Sequence, residues 1–167
     1  MTSACEQLCM DIVAVAAVAE NGVIGDGPTL PWHLPEEVRR YRERVAGETV
    51  AIGRRTFEMF EDPPGARQLV LSRTERTYDE PAVVHTSGVE ATIERARTED
   101  APVLYVLGGA AIYAAFLPYC DRLLVSRIDG TYEGDAEFPD FDTSVWTRTD
   151  DTRFEGYTLE RWERADG

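Results

Sequence analysis

Residues 12–19 read Ile-Val-Ala-Val-Ala-Ala-Val-Ala, an apolar run without a break. A strand with one wet face alternates polar and apolar residues. A short continuous run instead suits a strand covered on both faces, which is the situation inside a parallel sheet. Further strand candidates follow at Thr49–Gly53, Gln68–Ser72, Val83–His85, Val103–Leu107 and Arg122–Ile128. Val145–Thr149 and Tyr157–Trp162 alternate more strongly and read as a hairpin-type pair at the C-terminus.

Helical segments fall between these strands. Pro35 suits a first helical turn, and Glu36 and Glu37 behind it suit the positive end of a helix reaching about Val45. Ser87-Gly88-Val89-Glu90 has capping-box spacing and predicts a helix through about Arg97. Ala110–Leu117 predicts another, stopped by Pro118. The chain of 167 residues suits one α/β domain. The expectation is a mostly parallel central sheet of about eight strands, with an antiparallel C-terminal edge and about four flanking helices. Residues 1–9 read as an irregular leader without fixed structure, ahead of a domain over 10–167, and Met10 is an alternative start.

Partners are narrowed by charge. Asp and Glu number 31 against 17 basic residues, a net charge of −14, and lysine is absent throughout. Such a chain repels nucleic acid and anionic membranes. It reads either as an ordinary acidic protein or as one suited to a cytoplasm of very high salt, where acidic, lysine-poor surfaces resemble those of halophile proteins. The N-terminus lacks a basic flank and apolar stretch, so a cytoplasmic protein is expected. A monomer is the default expectation rather than one read from the residues. Cys5, Cys9 and Cys120 are odd in number and lack C-x-x-C spacing, which argues against a disulfide framework or a metal site.

Ligands of parallel sheets sit beyond the carboxyl ends of the strands. Three loops there stand out. Gly108-Gly109 precedes the helix Ala110-Ala111-Ile112-Tyr113, where backbone can approach a phosphate closely. Gly53-Arg54-Arg55-Thr56 puts two arginines at a helix start, against the dipole, unless a polyanion binds there. Ser72-Arg73 suits a phosphate monoester such as the 2′-phosphate that separates NADP from NAD. Each has an ordinary alternative: turn chemistry for the glycines, solvated ion pairs for the arginines. A fourth feature is Leu30-Pro31-Trp32-His33-Leu34-Pro35-Glu36-Glu37. Glu37 shares a helix face with Tyr41, beside Val38. If that face lines a cleft, the carboxyl's proton affinity should rise, and otherwise it is an acid favoured by the helix start.

Together these segments resemble the dihydrofolate reductase family. The likeness is carried by Val15-Ala16-Ala17, Asn21-Gly22-Val23-Ile24-Gly25 and Leu30 through Glu37, then by Ile52 through Glu58. It continues with Val70-Leu71-Ser72-Arg73, Leu107 through Tyr113, and Tyr132 through Pro139, in order from about Met10 to Trp162. The resemblance implies hydride transfer from NADPH to C6 of 7,8-dihydrofolate, with a proton to N5. The product, tetrahydrofolate, would supply one-carbon carriers for thymidylate, purine and amino-acid synthesis. It implies that Glu37 is the active-site carboxylate, that Ser126 links it to the pterin, and that the Trp32 N–H holds a water beside the substrate. Val15, Ala16, Val38, Tyr41, Phe60, Leu107 and Tyr113 would line the substrate pocket. Ala17, Ile24 and Gly25 would meet the nicotinamide. Gly108, Gly109, Ala110, Ala111, Ile112 and Tyr113 would hold the pyrophosphate and nicotinamide end, across a cis Gly-Gly peptide. Gly53, Arg54, Arg55, Thr56, Leu71, Ser72 and Arg73 would complete the cofactor site.

Two departures stand out. Where the family has an arginine gripping the α-carboxylate of the folate tail, this chain has Ala66, with Arg67 one residue later. The expectation is that Arg67, or Arg42 and Arg39 on the first helix, take over. Ala111 stands where many relatives have a basic or polar side chain. Two rival readings are a fold-related pyrimidine reductase of riboflavin synthesis and a nucleotide-binding module without turnover. Trp32 and Glu37 speak against the first, and their retention with Ser126 against the second.

Overall fold

The computed structural model describes residues 10–24, 31–134 and 136–164; the leader 1–9 and Gly25 fall outside them. Its elements are β1 (Asp11–Ala19), α1 (Pro35–Val45), β2 (Thr49–Gly53), α2 (Arg54–Met59), β3 (Arg67–Leu71), β4 (Val83–Thr86) and α3 (Val89–Thr98). Then come β5 (Val103–Val106), α4 (Ala110–Phe116) with a 3₁₀ turn at Leu117–Tyr119, β6 (Arg122–Ile128), β7 (Trp146–Phe154) and β8 (Tyr157–Arg164). One eight-stranded sheet runs in the order β4-β3-β2-β5-β1-β6-β8-β7. It is parallel from β4 to β6 and antiparallel across β6-β8-β7.

The apolar run explains the central place of β1. Ile12, Ala14, Ala16 and Val18 face one core cluster, while Val13 and Val15 face the other, so both sides of the strand are dry. The opposite extreme is β7, where Thr147 through Arg153 are all exposed and only Trp146 is buried. That strand extends well past the expected Thr149, because the β8 ladder holds it rather than any apolar face. A bulge falls between Arg148 and Asp150, and the two-residue turn Glu155-Gly156 uses a glycine at φ +90.

Helix α1 begins with Pro35 as expected, and basic residues in its last turn match the negative end of its dipole. The capping box at Ser87 does not form. Gly88 is the N-cap of α3 and no side chain caps the helix. The Thr92 hydroxyl instead donates to Gly88 O at 2.7 Å and accepts from the Thr86 hydroxyl at 2.7 Å. The end of α4 is tied down from a distance: the Arg164 guanidinium donates to the carbonyls of Leu117, Pro118 and Cys120.

The sheet opens where the site lies. β1 pairs with β5 only as far as Ala14–Val106, yet follows β6 on to Ala19–Ile128. Beyond Val106 the chain turns away at Leu107, leaving Val15, Ala16 and Ala17 beside a gap. That gap falls where consecutive connections part to opposite sides of β1, the usual place for a ligand in an open α/β sheet.

Candidate active site

Glu37, Tyr41 and Val45 follow one another at four-residue spacing on a single face of α1. Tyr41 and Val45 pack against Val13, Val15, Leu124 and Leu159, so the same face carries Glu37 inward, to 6% exposure. Burial pushes its carboxyl pKa up from the ordinary 4.5; a hydrogen bond from the Ser126 hydroxyl and the nearby Arg44 charge oppose the rise. Ser126, two residues past Leu124 on β6, is itself buried. Trp32 is buried edge-to-face with Tyr132 at 5.4 Å, and its indole N–H finds no acceptor among the described residues.

The other end of the site is made of close backbone approaches. The Gly53 N–H donates to Gly108 O at 2.8 Å, and the Gly108–Gly109 peptide is cis. A Cβ on Gly53 would fall 2.9 Å from Ile112 Cγ1, and one on Gly108, at φ +105, would fall 2.8 Å from the Tyr113 ring. Only glycine fits either place. The buried Tyr113 hydroxyl lies 2.7 Å from Val15 O and 2.9 Å from Leu107 O, bridging the ends of β1 and β5 across the gap.

A cleft of about 1390 Å³ joins the two ends. Ligand pockets commonly span about 300–1,000 Å³, so this one has room for two ligands. Along α1 it is lined by Glu37, Val38, Tyr41 and Arg42, and from β1 and β5 by Val15, Ala16, Ala17 and Leu107. Its far end is lined by Gly53, Arg54, Arg55, Thr56, Leu71, Ser72 and Arg73, with Ile24, Phe60 and Gly109 through Tyr113 between. Trp32 and Ser126 do not line it: Ser126 lies against Glu37, and Trp32 packs with Ala19, Val23, Ile128 and Tyr157. Gly108 is buried beneath Gly109.

Arg67 requires a correction. Its guanidinium is paired with both oxygens of Glu99, at 3.0 and 2.6 Å, and donates to Pro81 O, so it takes no part in the cleft. A one-residue shift along a strand turns a side chain to the opposite face. Arg39 is likewise held on the outer face of α1 by Glu36 and Glu43. Arg42 does reach the cleft. Among the phosphate-binding candidates, Arg54 bonds Glu58 at 3.1 Å and the Ser72 hydroxyl closes a turn with Thr74. Arg55 and Arg73 form no ion pair among the described residues, so these two exposed guanidiniums are free for an anion. Sequence reasoning missed Met59, Glu61, Asp62, Thr74 and Ala136 in the lining. Met59 ends α2, and Glu61 and Asp62 sit in the loop behind it, without periodicity, which only the fold brings to the cleft.

Fold and cleft define an α/β protein with a nucleotide-sized site at the opening of its sheet. The chain belongs to the dihydrofolate reductase family: the family model described as "Dihydrofolate reductase" matches residues 11–163. It is 35% identical to "Dihydrofolate reductase 1" of Haloarcula marismortui, over 93% of this chain and 92% of that one. It is 37% identical to "Dihydrofolate reductase HdrB" of Haloferax volcanii, over 91% and 82%. A solved structure titled as dihydrofolate reductase from Enterococcus faecalis complexed with NADP(H) and RAB-propyl superposes with a TM-score of 0.75. The two share 29% identity, over 93% of this chain and 97% of that one.

Proposed function

We propose that Glu37, Ser126 and Trp32 carry the chemistry of an NADPH-dependent reduction of 7,8-dihydrofolate to tetrahydrofolate, the activity of the family. The observation that carries this reading is the single cleft joining a buried carboxylate to a glycine- and arginine-lined far end. The donor set fits a phosphorylated nicotinamide cofactor. Arg55 and Arg73 are unpaired among the described residues, Thr56 offers a hydroxyl beside them, and the Gly109–Ala111 backbone opens onto the same arm of the cleft. NADPH supplies the hydride when bound.

Glu37 faces the part of the cleft lined by apolar side chains, where a flat heterocycle fits. Its carboxylate can accept two hydrogen bonds, from a pterin ring N–H and from the exocyclic amine. That contact orients the ring and, by its charge, favours a proton at N5. The buried Ser126 hydroxyl faces Glu37 closely enough to lower its pKa and can donate to it, holding it in place. The indole N–H of Trp32, without an acceptor among the described residues, is free to hold a water beside the substrate. Val15, Val38, Tyr41, Phe60 and Leu107 exclude bulk water around the ring, and Ala16 and Tyr113 close its inner end. Ala17 and Ile24 meet the nicotinamide side. Gly53, Leu71 and Ile112 shape the cofactor arm, with Arg54 and Ser72 as supporting polar groups.

We also infer that the chain works as a cytoplasmic monomer in high salt. No helix among the described residues is long and apolar enough to cross a membrane, and the charge balance of −14 disfavours nucleic acid. The test is purified protein mixed with NADPH and dihydrofolate in molar KCl, followed by nicotinamide absorbance. Loss of absorbance that requires both ligands is expected. A flat trace from folded, NADPH-binding protein overturns the reading in favour of a binding module.

A further inference from the structure

The cleft is charged very differently at its two ends, and the inventory of cations is complete. All 17 basic residues are arginines, and every one lies among the described residues. The cofactor end is lined by Arg54, Arg55 and Arg73. The substrate end is lined by Arg42 alone, together with the acids Glu61 and Asp62. Arg42 is already in use: it donates to Asp62 O at 2.9 Å, lies 3.8 Å from the Asp62 carboxylate, and sits 5.7 Å from the Phe60 ring centre. Three of the nearby arginines cannot be recruited cheaply. Arg39 is held by two glutamates, Arg40 stacks on Phe154 at 4.3 Å, and Arg67 is bound to Glu99.

From Glu37 the cleft wall continues through Val38 and Tyr41 to Arg42, Glu61 and Asp62, so a pterin anchored at Glu37 would carry its 4-aminobenzoyl group along these residues. In dihydrofolate that ring is capped by an amino acid bearing two carboxylates. In the tail-less conjugate, 7,8-dihydropteroate, the ring ends in one. A single, already engaged guanidinium matches one carboxylate, and a second must lie against two acids. Like charges repel, and a carboxylate without a cationic partner gains nothing that offsets the repulsion.

We propose that this site recognises the pterin and the aminobenzoyl ring but not the amino-acid tail, so that 7,8-dihydropteroate is a second substrate, reduced as efficiently as dihydrofolate. The reaction balances as the established one does. Hydride from NADPH goes to C6 and a solvent proton to N5, the C=N bond is reduced, and NADP⁺ and tetrahydropteroate leave. The inference rests on the dihydrofolate reductase reading above and deepens it.

Two measurements test it. The first compares kcat/KM for the two substrates, and the second compares their Kd values for the cofactor-free protein by quenching of tryptophan fluorescence. Both ratios should fall within fivefold of unity. A combined Glu61→Gln, Asp62→Asn variant, altered only at exposed positions, should favour dihydrofolate over dihydropteroate by at least threefold more than wild type does. A wild-type preference for dihydrofolate above fivefold, or a ratio unmoved by the double substitution, overturns the proposal and leaves the reductase reading intact. Failure to oxidise NADPH with either substrate overturns the reductase reading itself, and the proposal with it.

Discussion

The two ends of the cleft handle charge by opposite means. At the cofactor end, charge is worn outside: Arg55 and Arg73 are exposed at the ends of β2 and β3, and glycines at 53 and 108 let backbone segments meet. At the substrate end the decisive charge is buried, on a helix face that otherwise carries Tyr41 and Val45. Exposed cations act through solvent, so salt reaches them. At ~0.1 M salt the screening length is ~10 Å and at ~1 M only ~3 Å. Glu37 lies beyond that reach, and its environment is set by packing and by Ser126. One end should therefore respond to ionic strength and the other to pH.

The contrast can be broken most sharply at Glu37. Glu37→Gln keeps the volume but removes the charge that favours a protonated pterin. Hydride transfer near neutral pH should fall ~10²–10⁴-fold, while NADPH binding stays unchanged. A rate within threefold of wild type would move the role off this residue.

At the other end, replacing Arg55 and Arg73 together by alanine should weaken NADPH binding far more than NADH binding. Charge-assisted hydrogen bonds are worth ~1.5–3 kcal/mol each, so the preference should shrink at least tenfold. Equal losses for the two cofactors, measured by fluorescence titration, would remove both arginines from the 2′-phosphate site.

Smaller effects concern the fold. With a net charge of −14, the chain should repel itself in dilute buffer, and its thermal midpoint should rise by several degrees between 0.1 M and molar KCl. Over the same series NADPH affinity should pass through a maximum, as relief of general repulsion gives way to screening of the arginines. A flat or falling midpoint contradicts the salt reading.

The smallest effect is at Glu37 again. Burial raises its pKa above 4.5, so the folded state is favoured by this group below that pH and loses the advantage as pH rises through the folded value. Glu37→Gln should accordingly raise the thermal midpoint at pH 7, by a smaller effect than any above. The gain should vanish below pH 4.5, and a loss at pH 7 would mean that the Ser126 and Arg44 contacts outweigh burial.

The two ends also differed in how far they could be read from the chain. The cofactor loops are local: Gly-Gly ahead of a helix and paired arginines at a helix start carry their meaning in a few residues. The burial of Glu37 was legible from its spacing to Tyr41, and the central strand from its unbroken apolar run. Other features depend on distant partners. Ser126 reaches Glu37 only through the β6 register, and Trp32 is buried against Tyr132 and Ile128 by the turn into α1; nothing in their neighbours announces either. Arg67 was misplaced because its partner, Glu99, lies at the end of α3, 32 residues away. Glu61 and Asp62 occupy a loop without periodicity, and the exposed length of β7 is held by its ladder rather than by an apolar face. Ser87 offered a cap by spacing alone, and hydroxyl pairing between Thr86 and Thr92 supplies what holds that turn instead.

The claim that a buried carboxylate governs the proton at N5 is tested most directly by the pH dependence of hydride transfer in wild type and Glu37→Gln, measured at saturating NADPH and dihydrofolate. The wild-type rate should be level at low pH and decline above an apparent pKa higher than 4.5, because the Glu37–pterin pair shares the proton. The variant should show no plateau, its rate falling about tenfold per pH unit across the range, since N5 must then take its proton unaided. Superimposable profiles for the two proteins would contradict the account.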